Sequence, residues 1–271
     1  MGGKTSLQEA ARGNLVAVFG AGGGLGRAIV QELLARADDR ADDTVVLAVS
    51  RRAQPAELAH ERLHWFQLTT PEHDQGPEAA TITAYQALLA DWQAQNLELS
   101  GVVSTIGWLH GSGPNGQEWQ PERRIEQLSA EQLQAYFLTN ATLPILLLQA
   151  LKPLLPKTKP AYVAQLGAKV GSISDNHLGG WYGYRASKAA LNMLFRTAAI
   201  EFKRTHKQLS LAVIHPGTTD TELSKPFQQR LPADKLYSAE LSAQRILQVI
   251  ADLTPENSGS FYFWDGEKIP Y

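Results

Sequence analysis

The chain has 271 residues, no cysteine, and a net charge of −2 from 25 basic and 27 acidic side chains. Its content of 44% hydrophobic and 19% charged residues is ordinary for a globular protein, which excludes disorder and collagen-like repeats. The near-neutral charge removes the electrostatic case for a nucleic-acid partner, and the lack of thiols excludes disulfides, thiolate zinc sites and thiol catalysis.

Short apolar runs alternate with longer segments of helical periodicity along residues 14–271. Continuous apolar runs suit strands buried on both faces, and repeated strand–helix–strand units build a parallel sheet covered by helices. We therefore predict a single α/β domain of Rossmann type, doubly wound, with about seven parallel strands and helices on both faces. The predicted strands are Leu15–Phe19, Thr44–Val49, Leu63–Leu68, Gly101–Thr105, Ala161–Leu166, Leu209–Ile214 and Ser260–Trp264. The predicted helices are Leu25–Ala37, Ala79–Ala94, Ser129–Leu151, Trp181–Arg204 and Ser238–Leu253.

Other segments of the chain fall outside this alternation. Residues 1–13 are polar, lack the apolar segment of a secretory signal, and are predicted to form an N-terminal tail. The most apolar stretch, Ala141–Leu155, is too short for a membrane span and is interrupted by prolines. We expect a cytoplasmic protein without membrane association. Two connections, 107–128 and 218–237, are too long to be plain turns and are predicted to be substrate loops.

A glycine-rich turn joins the first strand to the first helix in the segment Phe19–Gly26. Glycines allow a tight turn and a close approach of the backbone to a pyrophosphate, which the helix N-terminus attracts. The spacing does not match Gly-x-Gly-x-x-Gly; it fits Gly20, Gly24 and Gly26, and equally Gly20, Gly23 and Gly26. The turn predicts a dinucleotide site, and a turn that only packs helix on strand is the alternative.

The second strand is followed by a hydroxyl and two cations, Ser50, Arg51 and Arg52, where an NAD-binding protein would carry an acidic residue. Guanidinium groups suit the 2′-phosphate that distinguishes NADP from NAD, whereas a carboxylate would repel it. This favours NADP(H) over NAD(H). Two solvated surface arginines are the alternative.

Tyr184 and Lys188 lie four residues apart in a segment of helical periodicity, so their side chains share one helix face. A nearby ammonium favours the phenolate and lowers the phenol pKa, which is otherwise about 10. The pair therefore predicts a tyrosine that exchanges a proton near neutral pH. A half-buried aromatic ring beside a lysine that extends to solvent is the alternative.

Several segments together resemble the short-chain dehydrogenase/reductase superfamily, and within it the sniffer-type carbonyl reductases and C-factor-like proteins. The similar segments are Phe19–Gly26, Tyr184–Asn192, His215–Thr221, Phe263–Gly266 and Ile269–Tyr271. The resemblance extends over almost all of residues 14–271.

The resemblance implies roles for the matched positions. Tyr184 is the expected general acid and base, Lys188 the residue that lowers its pKa and holds the nicotinamide ribose, and Asn140 the residue that orders a relay water. Pro216 and Gly217 are expected near the nicotinamide carboxamide. The full set of expected cofactor-binding residues is Gly20, Gly22, Gly24, Leu25, Gly26, Ser50, Arg51, Arg52, Leu68, Thr105, Ile106, Gly107, Tyr184, Lys188, Pro216, Gly217, Thr218, Thr219 and Thr221.

The sequence departs from the family at the serine that polarises the substrate carbonyl. By strand register this place is taken by Ala168, which has no hydroxyl. Counting back thirteen residues from Tyr184, as in the family, reaches Gly171, whose neighbour is Ser172. Ser172 is therefore the expected substitute donor, with Ser174 the other possibility.

These features predict an NADPH-dependent oxidoreductase that reduces a small ketone or aldehyde, with Tyr184 as general acid. Trp108, Leu109, Trp181 and Tyr182 would be pocket walls for an apolar or aromatic substrate, or else plain core. A non-enzymatic NADP(H)-binding regulatory protein is the alternative.

Further expectations concern partners and competing activities. A nucleotide-sugar epimerase or dehydratase also uses Tyr-x-x-x-Lys, but needs a larger segment after Gly217. No metal is expected, because His110, His177 and His215 lack ligand spacing. A homodimer or homotetramer is expected from the resemblance.

Overall fold

A computed structural model of the chain describes residues 13–69, 77–112, 116–230, 232 and 235–271. The strands in these ranges are β1 Leu15–Phe19, β2 Val45–Ser50, β3 Leu63–Gln67, β4 Leu99–Ser104, β5 Gly111–Ser112, β6 Glu118–Trp119, β7 Ala161–Leu166, β8 Leu209–His215, β9 Thr218–Thr219, β10 Leu236–Tyr237 and β11 Ser260–Phe263. The α-helices of the same ranges are α1 Gly24–Arg40, α2 Pro77–Ala94, α3 Ala130–Phe137, α4 Leu143–Leu151, α5 Tyr182–Phe202 and α6 Ala239–Ala251. The predicted N-terminal tail lies outside the described residues except for Gly13.

The central sheet of the described chain has seven strands in the order β11-β8-β7-β4-β1-β2-β3, and every neighbouring pair is parallel. The chain continues from β1 to β2 and β3 on one side, and later to β4 and β7 on the other. The direction reverses between β1 and β4, and doubly wound sheets bind ligands at the carboxyl ends of the strands at this point.

Both faces of the sheet are buried, which explains the continuous apolar runs of the sequence. All residues of β1 and β2 are buried. One face packs against α2, α4 and α5 through side chains that include Trp92, Leu147 and Phe195. The other face packs against α1 and α6 through side chains that include Ile29 and Ile246. The predicted α/β class, the seven parallel strands and the helices on both faces are confirmed.

The predicted helix Ser129–Leu151 is the one element that the structure divides. A π-helical turn, Leu138–Thr142, lies between α3 and α4. Pro144 has no N–H and cannot donate to the carbonyl of Asn140, four residues earlier. The N–H of Leu143 instead donates to Leu138, at the five-residue spacing of a π turn. The proline therefore removes the N–H that would bond the Asn140 carbonyl in an α-helix.

The two long connections contain short paired strands. In the first, β5 and β6 pair antiparallel, with Gly111 opposite Trp119. In the second, β9 and β10 pair parallel, with Thr218 opposite Leu236. Pairing gives each connection its own backbone hydrogen bonds, so both can hold side chains in fixed places above the sheet.

In the described part of the chain, one helical stretch, Ala130–Leu154, is long and apolar enough to cross a membrane by length and composition alone. The buried helix of a globular core passes the same test, and Leu147, Leu148 and Leu151 of this stretch belong to the core. A cytoplasmic location stays a prediction.

Candidate active site

The glycine-rich turn after β1 is packed too tightly for side chains. Gly20 has a φ of +82°, and a Cβ there would collide with Thr105 Oγ1. A Cβ on Gly26 would lie 2.9 Å from the carbonyl carbon of Gly20, so α1 can rest on the turn only with glycine at this position. Helix α1 begins at Gly24, and its first N–H groups and the positive end of its dipole face the turn. The turn therefore forms a cradle for an anionic group.

Two cations stand at the edge of this cradle, where β2 ends. Arg52 Nη1 donates to the carbonyl of Gly22 at 3.1 Å, and the Arg52 N–H donates to Ser50 Oγ at 2.9 Å. The side chains of Arg51 and Arg52 are exposed and line the cleft. A phosphate bound beside the cradle would meet both guanidinium groups.

Helix α5 carries Tyr184 and Lys188 into the opposite wall of the cleft. Both side chains are buried, with 6% and 3% of their surface exposed. Lys188 Nζ lies 5.8 Å from the centre of the Tyr184 ring and donates to the carbonyl of Leu166 at 3.3 Å. A Cβ on Gly107 would lie only 3.2 Å from this Nζ. The ammonium is therefore enclosed between the ends of β4 and β7.

Burial controls the acidity of this pair. Desolvation raises the pKa of Tyr184 above its ordinary value, and the neighbouring Tyr136 raises it further. Burial lowers the pKa of Lys188 to about 8. With its pKa raised above the ordinary value of about 10, the Tyr184 phenol is protonated at neutral pH. Lys188 is not among the causes of this shift, and its expected lowering of the phenol pKa stays a prediction.

Asn140 lies in the π turn directly behind the cleft and does not line it. Its Oδ1 accepts from the N–H of Trp108 at 2.8 Å, and its Nδ2 donates to the carbonyl of Trp108 at 2.9 Å and to Ser187 Oγ at 3.2 Å. The side chain thus fastens the segment after β4 to α5.

The structure does not bring Ser172 to the cleft. Its hydroxyl donates to the carbonyl of Pro270 at 2.5 Å and accepts from the N–H of Asp175 at 3.2 Å. Ser174 donates to the carbonyl of Tyr271 at 2.8 Å. Both hydroxyls are used to hold the segment at the end of the chain, so the expectation that Ser172 polarises the substrate is corrected. The cleft is lined there by Ala168 instead.

The turn after β8 is packed from behind by an aromatic cluster. Gly217 has a φ of +78°, and a Cβ there would lie 2.9 Å from the Tyr237 ring and 3.0 Å from the Trp264 ring. The guanidinium of Arg245 stacks over both rings, 4.4 Å and 3.9 Å from their centres. This cluster holds the Pro216–Gly217 turn against the cleft.

An aromatic wall closes the cleft above Tyr184. The Trp181 ring lies 6.1 Å from that of Tyr184 and 4.8 Å from that of Phe227. Trp108 packs 5.7 Å from Trp119. Phe227 and Trp119 belong to the two long connections. The sequence pattern did not predict that either residue would line the cleft. Of the predicted walls, Trp108, Leu109 and Trp181 line the cleft, whereas Tyr182 is exposed outside it.

The cleft has a volume of about 1900 Å³ and collects most of the predicted site residues. The predicted residues that line it are Gly20, Gly22, Gly24, Leu25, Gly26, Ser50, Arg51, Arg52, Thr105, Ile106, Gly107, Tyr184, Lys188, Pro216, Gly217, Thr218, Thr219 and Thr221. Leu68, Asn140 and Ser172 do not line it, and Leu68 packs in the core. His215 and Lys169 line it although neither was predicted to. Among the described residues, no His, Asp and Glu group could hold a metal ion.

A doubly wound sheet with a glycine cradle at its switch point, and a buried Tyr–Lys pair across the cleft, defines a nucleotide-dependent oxidoreductase. Residues 14–232 match the short chain dehydrogenase family. The chain belongs to this family, and it is an oxidoreductase.

Individual relatives are more distant. C-signal of Myxococcus xanthus is 33% identical over 135 residues, which are 50% of this chain and 76% of the relative. The carbonyl reductase Sniffer of D. melanogaster is 21% identical with a TM-score of 0.74, covering 95% of this chain and 99% of its own. An NADPH-bound carbonyl reductase from chicken fatty liver is 23% identical with a TM-score of 0.70, covering 95% and 98%. The two structures share the fold.

The buried ammonium predicts a specific pH dependence of stability. The unfolded chain holds the Lys188 proton up to a pKa near 10.5, whereas the folded chain releases it near 8. Unfolding therefore takes up a proton between these pH values, and the free energy of unfolding gains a contribution that rises with pH across this interval. Lys188→Met should be more stable than the wild type near neutral pH, and its advantage should shrink as the pH rises from 8 to 10.5.

Urea unfolding of both proteins at a series of pH values measures this difference. Lys159→Met is the matched control, because the Lys159 side chain is 72% exposed. An advantage of Lys188→Met that stays constant with pH would contradict a buried, charged Lys188.

Proposed function

We propose that the protein is an NADPH-dependent reductase of small ketones or aldehydes, with Tyr184 as general acid. The observation that carries this proposal is the position of Tyr184, which is buried beside Lys188 and lines the same cleft as the glycine cradle. A carbonyl reduction needs a proton donor at this place, and the Lys188 ammonium beside Tyr184 favours the phenolate that remains after the proton is given up.

The cradle fits a dinucleotide phosphate group. Side chains at Gly20 and Gly26 would collide with Thr105 and with the turn itself, so glycine at both positions lets the turn close against the start of α1, where backbone N–H groups can bind an anion. Arg51 and Arg52 give the adjacent edge the charge that a 2′-phosphate requires, which supports NADP(H) over NAD(H). The structurally similar chicken carbonyl reductase binds NADPH.

The mechanism assigns one task to each polar residue. The nicotinamide, when bound, supplies the hydride that the carbonyl carbon receives. Tyr184 donates its phenol proton to the carbonyl oxygen and becomes a phenolate. Lys188, whose pKa of about 8 leaves it charged at neutral pH, stabilises that phenolate and holds the ribose hydroxyls. A water ordered by Asn140 passes the replacement proton inward from solvent.

The aromatic wall supports an apolar or aromatic substrate. Trp108, Trp181 and Phe227 present rings to the cleft next to Tyr184. Such walls bury flat apolar groups and exclude water from the reacting carbonyl.

A second candidate, a non-enzymatic NADP(H)-binding regulatory protein, has two observations in its favour. Ala168 removes the hydroxyl expected beside the substrate, and C-signal of Myxococcus xanthus is among the relatives. Loss of one such donor slows a reaction by about a hundredfold to a thousandfold, which leaves a slow enzyme rather than an inert one. We therefore prefer the reductase.

Removal of the phenol hydroxyl separates these two functions. Tyr184→Phe should lower the reduction rate by at least about a hundredfold, because the proton donor is lost, while NADPH binding stays intact. The reduction rate is measured as the decrease of NADPH absorbance with a panel of aldehydes and ketones. NADPH binding is measured by tryptophan fluorescence. Tyr182→Phe is the matched control, since Tyr182 is exposed on the same helix. Full activity of Tyr184→Phe would contradict the reductase.

The arginine edge predicts cofactor preference. Arg51→Gln should raise the KM for NADPH by about tenfold or more, because one charged hydrogen bond to the 2′-phosphate is lost. The KM for NADH should not change, since NADH has no phosphate there. Steady-state kinetics with both cofactors measure the two values. An equal rise for both, or a wild-type preference for NADH, would refute the NADP(H) assignment.

We also propose that the protein is a homodimer or homotetramer. Phe137 on α3 and Tyr182, Met193 and Ile200 on α5 are large hydrophobic side chains exposed to solvent. Burial of this surface between copies would remove apolar area from water. Sedimentation at micromolar concentration tests the proposal, and a single monomeric species would contradict it.

A further inference from the structure

In the proposed reaction, the substrate carbonyl oxygen lacks a second hydrogen-bond donor. Negative charge develops on the carbonyl oxygen as hydride arrives, and enzymes place preorganised donors around such an oxygen. Tyr184 supplies one donor. Ala168 cannot supply another, and the Ser172 hydroxyl is directed to Pro270.

His215 ends β8 directly beside the position of the missing hydroxyl. Strands β7 and β8 are paired, and the N–H of Gly167 donates to the carbonyl of Ile214 at 2.8 Å, so His215 adjoins the Gly167–Ala168 segment. Along β8, Leu211 and Val213 belong to the core on the α5 side of the sheet. By strand alternation His215 faces the same side, which is the side of Tyr184 and Lys188. His215 is among the residues that line the cleft.

One nitrogen of the His215 imidazole is buried without a partner. Its Nδ1 is enclosed and has no hydrogen-bond partner among the described residues, although buried polar atoms are usually paired. Part of the residue remains open to the cleft. Burial, with Lys169 and Lys188 nearby, lowers the pKa of His215 to about 4, so the ring is neutral at neutral pH and carries one N–H.

The enclosed nitrogen also indicates where that proton lies. A buried N–H without an acceptor is rarer in proteins than an unpaired acceptor. The tautomer with its proton on Nε2 leaves Nδ1 as the unpaired acceptor and makes Nε2 the donor.

Lys169 follows Ala168 in the chain and also lines the cleft, but its ammonium already has a partner. Its Nζ pairs with Asp175 Oδ2 at 3.2 Å and lies 5.6 Å from the centre of the Phe263 ring. These contacts hold the ammonium away from the role of a free donor.

We propose that His215 donates the second hydrogen bond to the substrate carbonyl oxygen, in place of the serine hydroxyl that Ala168 lacks. This inference rests on the proposed reductase function. His215 is then a catalytic residue. The two donors to the carbonyl oxygen are Tyr184 and His215, rather than Tyr184 and a serine at position 168.

A double-substitution experiment tests the exchange of donors. The variants are His215→Leu, His215→Gln, Ala168→Ser and the combination of Ala168→Ser with His215→Leu. The rate is measured with 4-nitrobenzaldehyde and NADPH, and NADPH affinity by tryptophan fluorescence. His206→Leu is the matched control, because His206 is a buried histidine just before the other end of β8.

His215→Leu should lower kcat by about a hundredfold with unchanged NADPH affinity. His215→Gln, which keeps an N–H, should lose less. In the Ala168→Ser background the loss caused by His215→Leu should be mostly recovered, because the serine hydroxyl takes over the hydrogen bond.

Three results would overturn the proposal: full kcat in His215→Leu, an equal loss in both backgrounds, or a loss of NADPH affinity in His215→Leu, which indicates a structural role. These leave the reductase function intact. A wild type that binds NADPH but reduces no carbonyl, with or without Ala168→Ser, would instead overturn the proposed function and this inference with it.

Discussion

The enclosure of the Lys188 ammonium is the constraint on which the cleft depends. A buried cation is costly unless hydrogen bonds compensate it, and here one backbone carbonyl, that of Leu166, accepts from it. The group fits only because its neighbours are small: a Cβ on Gly107 would press on Nζ, and a Cβ on Gly171 would lie 2.9 Å from the Lys188 backbone. The fold therefore accepts a destabilising charge at the place where a reaction that leaves a phenolate on Tyr184 needs a cation.

Hydrogen bonds between neighbouring elements hold the glycine turn and the segment after β4 in place around that charge. The glycine turn and the end of β4 are tied by Thr105, whose N–H and hydroxyl both donate to the carbonyl of Phe19, at 2.9 Å and 3.2 Å. The Asn140 side chain connects the next residues to α5. Because each connection is a short hydrogen bond between elements of one core, the cradle and the Tyr–Lys wall keep a fixed separation, which hydride transfer requires.

If Ala168 stands in the place of the family's serine, as we propose, another polar group near it must bind the substrate carbonyl. Counting residues back from Tyr184 makes Ser172 the expected donor to the substrate. Its hydroxyl, however, already donates to the carbonyl of Pro270 and accepts from the N–H of Asp175. The imidazole of His215 shows the opposite pattern, with an enclosed nitrogen that has no described partner. In the proposed tautomer Nδ1 stays an unpaired acceptor, and Nε2 is the nitrogen that donates to the substrate.

Local patterns in the sequence determined the α/β class, the seven strands, the glycine turn and the Tyr184–Lys188 spacing, because strand burial, turn geometry and helix periodicity are properties of neighbouring residues. The boundaries of β1 and β7 were predicted to the residue, while the π turn required the effect of Pro144 on a carbonyl four residues away. The acidity of Tyr184, the direction of the Ser172 hydroxyl and the aromatic wall were decided only by the tertiary structure. Desolvation, hydrogen-bond pairing and ring packing depend on which distant segments meet, and no spacing along the chain encodes them.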